Sequence, residues 1–121
     1  DEIRLIEREM FGFDHCQIGA RVIEKWRLPG IYGDVAQNYY MRNSEALEAK
    51  ENANAIAITA QAGLLARRLG IGRREPEKTV EVVATIYNQM LGLKKEHIIE
   101  ILEKTFNEYT ECQDQFRLRA G

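Results

Sequence analysis

Apolar residues recur along this chain at intervals of three and four, which is the period of an amphipathic helix. Runs that alternate apolar and polar residues between turn residues, as β-strands do, are absent from the sequence. The pattern therefore predicts an all-α fold, a compact multi-helix bundle of about five to six helices, one of them incomplete. The predicted helices cover approximately residues 1–10, 17–26, 29–40, 43–69, 76–91 and 94–116.

Start and stop signals support these boundaries. Asp14 is suited to cap the second helix, and Gln17 follows at the spacing of a capping box. Pro29 and Pro76 suit first helical positions, where the missing N–H costs nothing. Gly70 is placed to end the long helix over residues 43–69. The helix order thus follows from local signals alone.

The second helix carries one apolar stripe, and the sequence predicts that this stripe is buried. It consists of His15, Ile18, Gly19, Val22, Ile23 and Trp26. Gly19 on such a stripe indicates close approach of another helix, because glycine otherwise weakens a helix. If Trp26 is buried, Trp26→Ala should cost about 3–5 kcal/mol of stability.

Composition limits the class of protein. The 121 residues predict a single helical domain over residues 1–121, and 45% apolar content is typical of a globular chain. A net charge of −2 gives no attraction to nucleic acid or to an anionic membrane. No membrane span or signal peptide is predicted, so we expect a cytoplasmic protein. The chain does not begin with Met, which suggests a fragment, although removal of a tag would look the same. Cys16 and Cys112 are expected to be buried thiols, with a disulfide between them as the less favoured alternative.

The candidates for a metal site are few. The chain has two histidines, His15 and His97, and nothing in the pattern brings them together. Asp34 is available, but Asp14 is better explained as a helix cap. His15 is therefore the single weak candidate for a metal ligand, against the alternative that its ring nitrogens bond polar neighbours within the core. We predict no cofactor.

One local basic cluster is a candidate for binding an anion or an acidic partner surface. Arg67, Arg68, Arg73 and Arg74 surround the glycines at positions 70 and 72. The alternative is a solvated helix end, favoured by the acidic residues at 75 and 77. No nucleophile with a base in reach and no glycine-rich phosphate loop is apparent.

The stretch FGFDHCQIGARVIEKWRLPGIYGDVAQNYY, residues 11–40, resembles the central segment of HDOD domains. These domains are the non-catalytic relatives of HD-type metal-dependent phosphohydrolases and occur mainly in bacterial signalling proteins. The matching positions are Gly12, His15, Ile18, Gly19, Trp26, Leu28, Pro29 and Ile31. The alanine-rich helix that ends in LLARRLGIG, residues 64–72, and the segment over residues 91–106 resemble the family's following helix and last helix. The resemblance therefore covers the later part of a larger HDOD-like domain.

The sequence departs from the family pattern at one informative place. Where the family has a His-His pair, this chain has Tyr39 and Tyr40, and phenols are poor substitutes for imidazoles as metal ligands. The resemblance therefore implies a regulatory module that contacts other signalling proteins or domains, with a homo-oligomer allowed. The alternative is a metal-dependent phosphohydrolase or cyclic-dinucleotide phosphodiesterase whose other ligands lie upstream of Asp1. An enzyme is disfavoured but left open.

Overall fold

The computed structural model of the protein describes residues 2–72 and 75–120, with the backbone alone for residues 117–120. Within those residues the regular structure is entirely helical, which confirms the all-α prediction. Seven helices are described, against the predicted five to six. They are α1 (Glu2–Phe11), α2 (His15–Lys25), α3 (Gly30–Asn38), α4 (Ser44–Glu48), α5 (Ala53–Leu69), α6 (Ile86–Leu91) and α7 (Lys95–Ala120).

The contacts of the chain divide it into two compact units, Asp1–Ala60 and Gln61–Gly121. The division falls inside α5, and each unit has its own buried residues. The first unit buries Cys16, Leu47, Ile56, Ala57 and Ala60. The second packs Leu65, Val82 and Ile98 together, with half-buried apolar neighbours around them at Leu64, Val80, Val83, Leu93 and Leu102. The single-domain organisation stays a prediction.

Several local signals act as the sequence predicted. Asp14 caps α2 with a complete capping box, in which the Gln17 N–H donates to Asp14 Oδ1 over 3.0 Å. Gly70 follows α5 with φ of +76°, and a Cβ at this position would lie 2.8 Å from Pro76 N. Glycine is therefore required at position 70 for both its conformation and its size.

The predicted long helix over residues 43–69 is wrong, because the chain turns at residues 49–52 between α4 and α5. Asn43 caps α4 by accepting from the Ala46 N–H over 3.0 Å. Asn52 stands at the start of α5, and its Nδ2 donates to Asp34 Oδ2 over 2.6 Å. Asparagine side chains that bond outside the helix compete with helical continuity, which explains the break.

The predicted helix over residues 76–91 is also shorter in the structure, where only α6 is helical. The Glu81 carboxylate accepts from the N–H groups of Val83 and Ala84, over 2.7 and 2.8 Å. Asn88 Nδ2 donates to the Val82 and Val83 carbonyls, and Thr85 caps α6. These local bonds, together with the weak helix propensity of valine, hold residues 80–85 in an irregular path.

The predicted buried stripe of α2 is wrong in its orientation. Trp26 is 71% exposed, and Ile18 and Val22 are also exposed. The helix instead turns Gly19 and Ile23 towards α3, where an added Cβ on Gly19 would lie 3.8 Å from Ala36 Cβ. Helix α2 is apolar over much of its circumference, so the sequence could not decide which apolar side faces α3.

The expected burial of both cysteines needs correction. Cys16 is buried as predicted, but Cys112 is exposed, and both thiols are free. On α7, Ile98 is buried and Leu102 half-buried, whereas Phe106 is exposed. Among the described residues, every helix is either too short or too polar to cross a membrane.

Candidate functional site

Three elements of the first unit bring charged and polar side chains together at the start of α2. Helix α1 contributes residues at positions 4, 7 and 8, which share one helical face. The first turn of α2 and the two residues after α3 contribute the rest. We call this group the polar cluster, and it comprises Arg4, Glu7, Arg8, Asp14, His15, Cys16, Tyr39 and Tyr40.

Asp14 is the buried anion of the polar cluster, at 1% exposure. Its Oδ2 lies 2.7 Å from Arg8 Nε and 3.5 Å from Arg4 Nε. Burial pushes the pKa of Asp14 upwards, but the bond from the Gln17 backbone and the two arginines outweigh it. The net effect is a pKa below the usual range, so Asp14 is ionised at neutral pH. The same carboxylate is therefore both a helix cap and a counterion.

His15 is bonded through both of its ring nitrogens. Nδ1 lies 2.8 Å from Glu7 Oε2, and Nε2 lies 3.1 Å from the Tyr39 hydroxyl. The His15 backbone N–H also donates to Glu7 over 2.8 Å, and these bonds lower the pKa of Glu7. His15 was expected to be a core residue, but its side chain is 44% exposed and it bonds polar neighbours.

Tyr39 joins His15 to the buried Cys16. Burial raises the pKa of the Cys16 thiol, and burial and the neighbouring thiol raise the pKa of the Tyr39 phenol. Both groups are therefore neutral near pH 7. With a neutral imidazole, Nδ1–H donates to Glu7 and the Tyr39 hydroxyl donates to Nε2. A further hydrogen bond joins Tyr39 to Cys16. Each group in this chain then has a partner.

Tyr40 covers the other side of the polar cluster. The guanidinium carbon of Arg4 lies 3.1 Å from the centroid of the Tyr40 ring. A cation placed over an aromatic face is stabilised by the ring quadrupole, more so when it is shielded from water. Arg4 is only 9% exposed, and its Nε lacks a hydrogen bond within the described residues. Asp14 and Tyr40 thus supply the main compensation for its buried charge.

The donor set of the polar cluster does not fit a metal ion. Asp14 is bonded to two arginines and a backbone N–H, and the Nε2 lone pair of His15 faces a hydroxyl. Two guanidinium groups next to the carboxylate would also repel a cation. Within the described residues, no three His, Cys, Asp or Glu side chains are arranged to hold a metal. Ligands from elsewhere would have to displace existing bonds.

The remaining predicted site residues lie elsewhere. Arg67 pairs with Glu77 at 2.7 Å, and Arg68 donates to the Val80 carbonyl over 3.0 Å. Arg73 and Arg74 lie outside the described residues. The anion-binding role of this basic cluster stays a prediction, with two of its four arginines already engaged in internal bonds.

Two other polar candidates have local partners. Asp34 accepts from Asn52, as described above. His97 Nδ1 accepts from the Lys94 N–H over 3.0 Å at the start of α7, as a capping residue does. Both side chains therefore have a structural explanation.

The sequence interpretation overlooked the contribution of α1. The sequence analysis assigns no role to Arg4, Glu7 and Arg8. Their spacing of three and four residues is a signal that they share a face. What the sequence could not show is that this face meets the capped end of α2.

Comparison with known proteins found no significant match to this chain among protein-family models, curated proteins or solved structures. The resemblance to HDOD domains therefore rests on the sequence motif.

Proposed function

We propose that this chain is a non-catalytic regulatory module that acts through protein contacts, built on an HDOD-like helical framework. The carrying observation is the 3.1 Å contact between the Tyr39 hydroxyl and His15 Nε2. Tyr39 stands where the family pattern has a histidine, and it takes the ring nitrogen that a metal or a substrate proton would need. On this view the module is part of a bacterial cytoplasmic signalling protein.

The charge balance of the polar cluster supports a structural role. Both guanidinium groups lie against the Asp14 carboxylate, and the second carboxylate, that of Glu7, pairs with His15. Asp14 would have to lose its bonds to Arg8 and to the α2 backbone before it could serve as a ligand or base. Losing the cap would cost about 1 kcal/mol, and the pair with the half-exposed Arg8 would add less than about 1 kcal/mol. The cluster is thus suited to fix α1 and the end of α3 against α2.

A specific observation keeps the alternative, a metal-dependent phosphohydrolase, in view. The Glu7 carboxylate holds Nδ1 of His15, and histidines that bind metals through Nε2 are oriented in the same way. If the remaining ligands lie upstream of Asp1, a rotation of the Tyr39 hydroxyl would expose Nε2. The two functions therefore differ in whether Nε2 is used.

Metal content separates them. The full-length protein is purified without chelator, beside His15→Ala, and analysed for Mn, Fe and Zn and for hydrolysis of cyclic dinucleotides. We expect no stoichiometric metal and no hydrolysis in either protein. Stoichiometric metal that is lost in His15→Ala would overturn the regulatory proposal and support the phosphohydrolase.

A matched pair of variants tests the role assigned to the tyrosines. Tyr39→His with Tyr40→His replaces the phenols by imidazoles, and Tyr39→Phe with Tyr40→Phe removes the hydroxyls alone. We expect Zn²⁺ affinity to increase only in the histidine pair. Equal affinities in both pairs would show that the tyrosines are not what prevents metal binding.

A cellular readout tests the signalling role directly. His15→Gln replaces the imidazole by a neutral amide that can still bond Glu7 or Tyr39. We expect the signalling output of the host protein to persist in this variant, since no proton transfer or metal is needed. Loss of output with normal protein abundance would contradict a purely structural His15.

A further inference from the structure

Helix α2 presents an open, partly apolar groove on the side that faces away from α3. The groove has a volume of about 420 Å³, and we call it the α2 groove. It is lined by Gly12, Phe13, Gln17, Ile18, Arg21, Val22 and Lys25. Ile18, Val22 and Trp26, spaced four residues apart, form an exposed apolar row, and Arg21 and Lys25 run beside that row as a basic edge.

Helix α1 presents a face of the opposite charge. Ile3, Ile6 and Met10 recur at positions i, i+3 and i+7, and each is more than half exposed. Glu2 and Glu9 are exposed along one edge of this row. We call this surface the α1 outer face. It points away from Arg4 and Arg8, which lie on the opposite side of the helix, whereas Glu7 borders the row next to Ile3.

We propose that the first unit binds a second copy of itself, with the α1 outer face of each copy in the α2 groove of the other. The two helices have 10 and 11 residues and are therefore about 15 and 17 Å long, so the two rows match in length. Both surfaces belong to one compact unit, so each copy can give and receive the same contact. Two-fold symmetry then closes the assembly at a dimer.

Charge decides in favour of this pairing over the alternatives. Contact between two α1 outer faces would bring Glu2 and Glu9 against the same residues of the second copy. Contact between two α2 grooves would oppose Arg21 and Lys25 with themselves. Only the reciprocal pairing places an acidic edge against a basic one while it covers both apolar rows. Like charges across an interface cost affinity and are a common device of specificity.

The dimer is expected to be weak and sensitive to salt. The interface would consist of two contacts between helices of about three turns each, so the area that it buries is at the low end for protein interfaces. Its ion pairs are exposed, and salt screens such pairs. This proposal extends the interaction role suggested above by naming a partner. Its test does not involve metal or His15, so the two proposals can fail separately.

The test is a charge exchange followed by sedimentation equilibrium of the whole chain, from micromolar to near-millimolar concentration. Arg21→Glu with Lys25→Glu should weaken dimerisation about tenfold or more, as should Glu2→Lys with Glu9→Lys. All four changes together should restore it, because the edges are again opposite. Lys78→Glu with Lys104→Glu, two exposed positions outside both surfaces, is a control with the same change in net charge as Arg21→Glu with Lys25→Glu.

The possible outcomes are decisive. The proposal would be overturned if the wild type stays monomeric over the whole concentration range. It would also be overturned if neither charge-reversed pair weakens the dimer, or if the variant with all four changes does not recover it. Loss of dimer in the control pair would do the same, since it would show a general charge effect. Circular dichroism checks that each variant keeps its helix content, and recovery in the fourfold variant shows that the paired changes have not destroyed the fold.

Discussion

Removing the charge of Asp14 while keeping its shape should destabilise the protein more than removing an ordinary helix cap. Asp14→Asn retains an oxygen that can accept from the Gln17 N–H, so the cap is preserved. What it removes is the negative charge between Arg4 and Arg8. Asp14→Ala removes both the cap and the charge. The difference between the two variants therefore isolates the cap.

The magnitude follows from the exposure of the two arginines. The Arg8 side chain is 45% exposed and can turn to water, so its pair with Asp14 contributes less than about 1 kcal/mol. The Arg4 side chain is 11% exposed, and its charge would remain buried beside the Tyr40 ring. Allowing for that cation–π contact, we expect Asp14→Asn to cost about 2–3 kcal/mol. Loss of the cap adds about 1 kcal/mol in Asp14→Ala.

Asn43→Ala is the matched control. Asn43 caps α4 in the same unit through one bond to the Ala46 N–H, and it has no part in an ion pair. We expect a loss of about 1 kcal/mol for this variant. Urea unfolding at pH 7, followed by circular dichroism and by the fluorescence of Trp26, gives the free energies of unfolding.

Two results would refute the reasoning. If Asp14→Asn lies within about 0.5 kcal/mol of the wild type, the charge between the arginines contributes nothing to stability. If Asp14→Ala costs no more than Asn43→Ala, Asp14 is a cap and nothing else. A changed slope with denaturant would indicate that the variant alters the unfolded state or the cooperativity, and not only the stability.

Four further predictions concern the acid dependence of Asp14→Asn and substitutions at three other positions. The pKa of Asp14 is lower in the folded protein than in the unfolded chain. The stability that the ionised carboxylate contributes is therefore fully present above about pH 4–5 and is lost as the pH falls through the folded-state pKa. Asp14→Asn lacks this group, so its stability should decline less steeply in acid than that of the wild type. Trp26→Ala should change stability by less than about 1 kcal/mol in thermal melting, because the indole is exposed. A loss above about 3 kcal/mol would instead support the prediction that this side of α2 is buried. Gly63→Ala should stabilise the protein by about 1 kcal/mol in urea unfolding, because alanine favours the helix and a Cβ at this position meets nothing within 4 Å. Ile98 lies in the core of the second unit, so Ile98→Ala should lower the free energy of unfolding by about 2–5 kcal/mol.

The candidate site shows how far the sequence could go. The cap at Asp14 was predictable because its partner, Gln17, lies three residues away in the same turn. The partners of His15 were not predictable, because Glu7 and Tyr39 lie eight and 24 positions away from it in the sequence. The spacing of His15 matches that of its apolar neighbours and therefore predicts a place in the core. Spacing shows only that residues share a face, and it does not show what that face meets.

The sequence by itself determined the helical class, the cap of α2, the glycine that ends α5 and the absence of a familiar ligand pair at Tyr39 and Tyr40. These features depend on neighbours within one or two helical turns, whose interactions the order of residues already defines. The tertiary structure alone decided which side of α2 is buried, where the helices of residues 43–69 and 76–91 break, and that Arg4 and Arg8 surround Asp14. Those outcomes depend on contacts between distant segments, where several apolar faces compete and packing selects one.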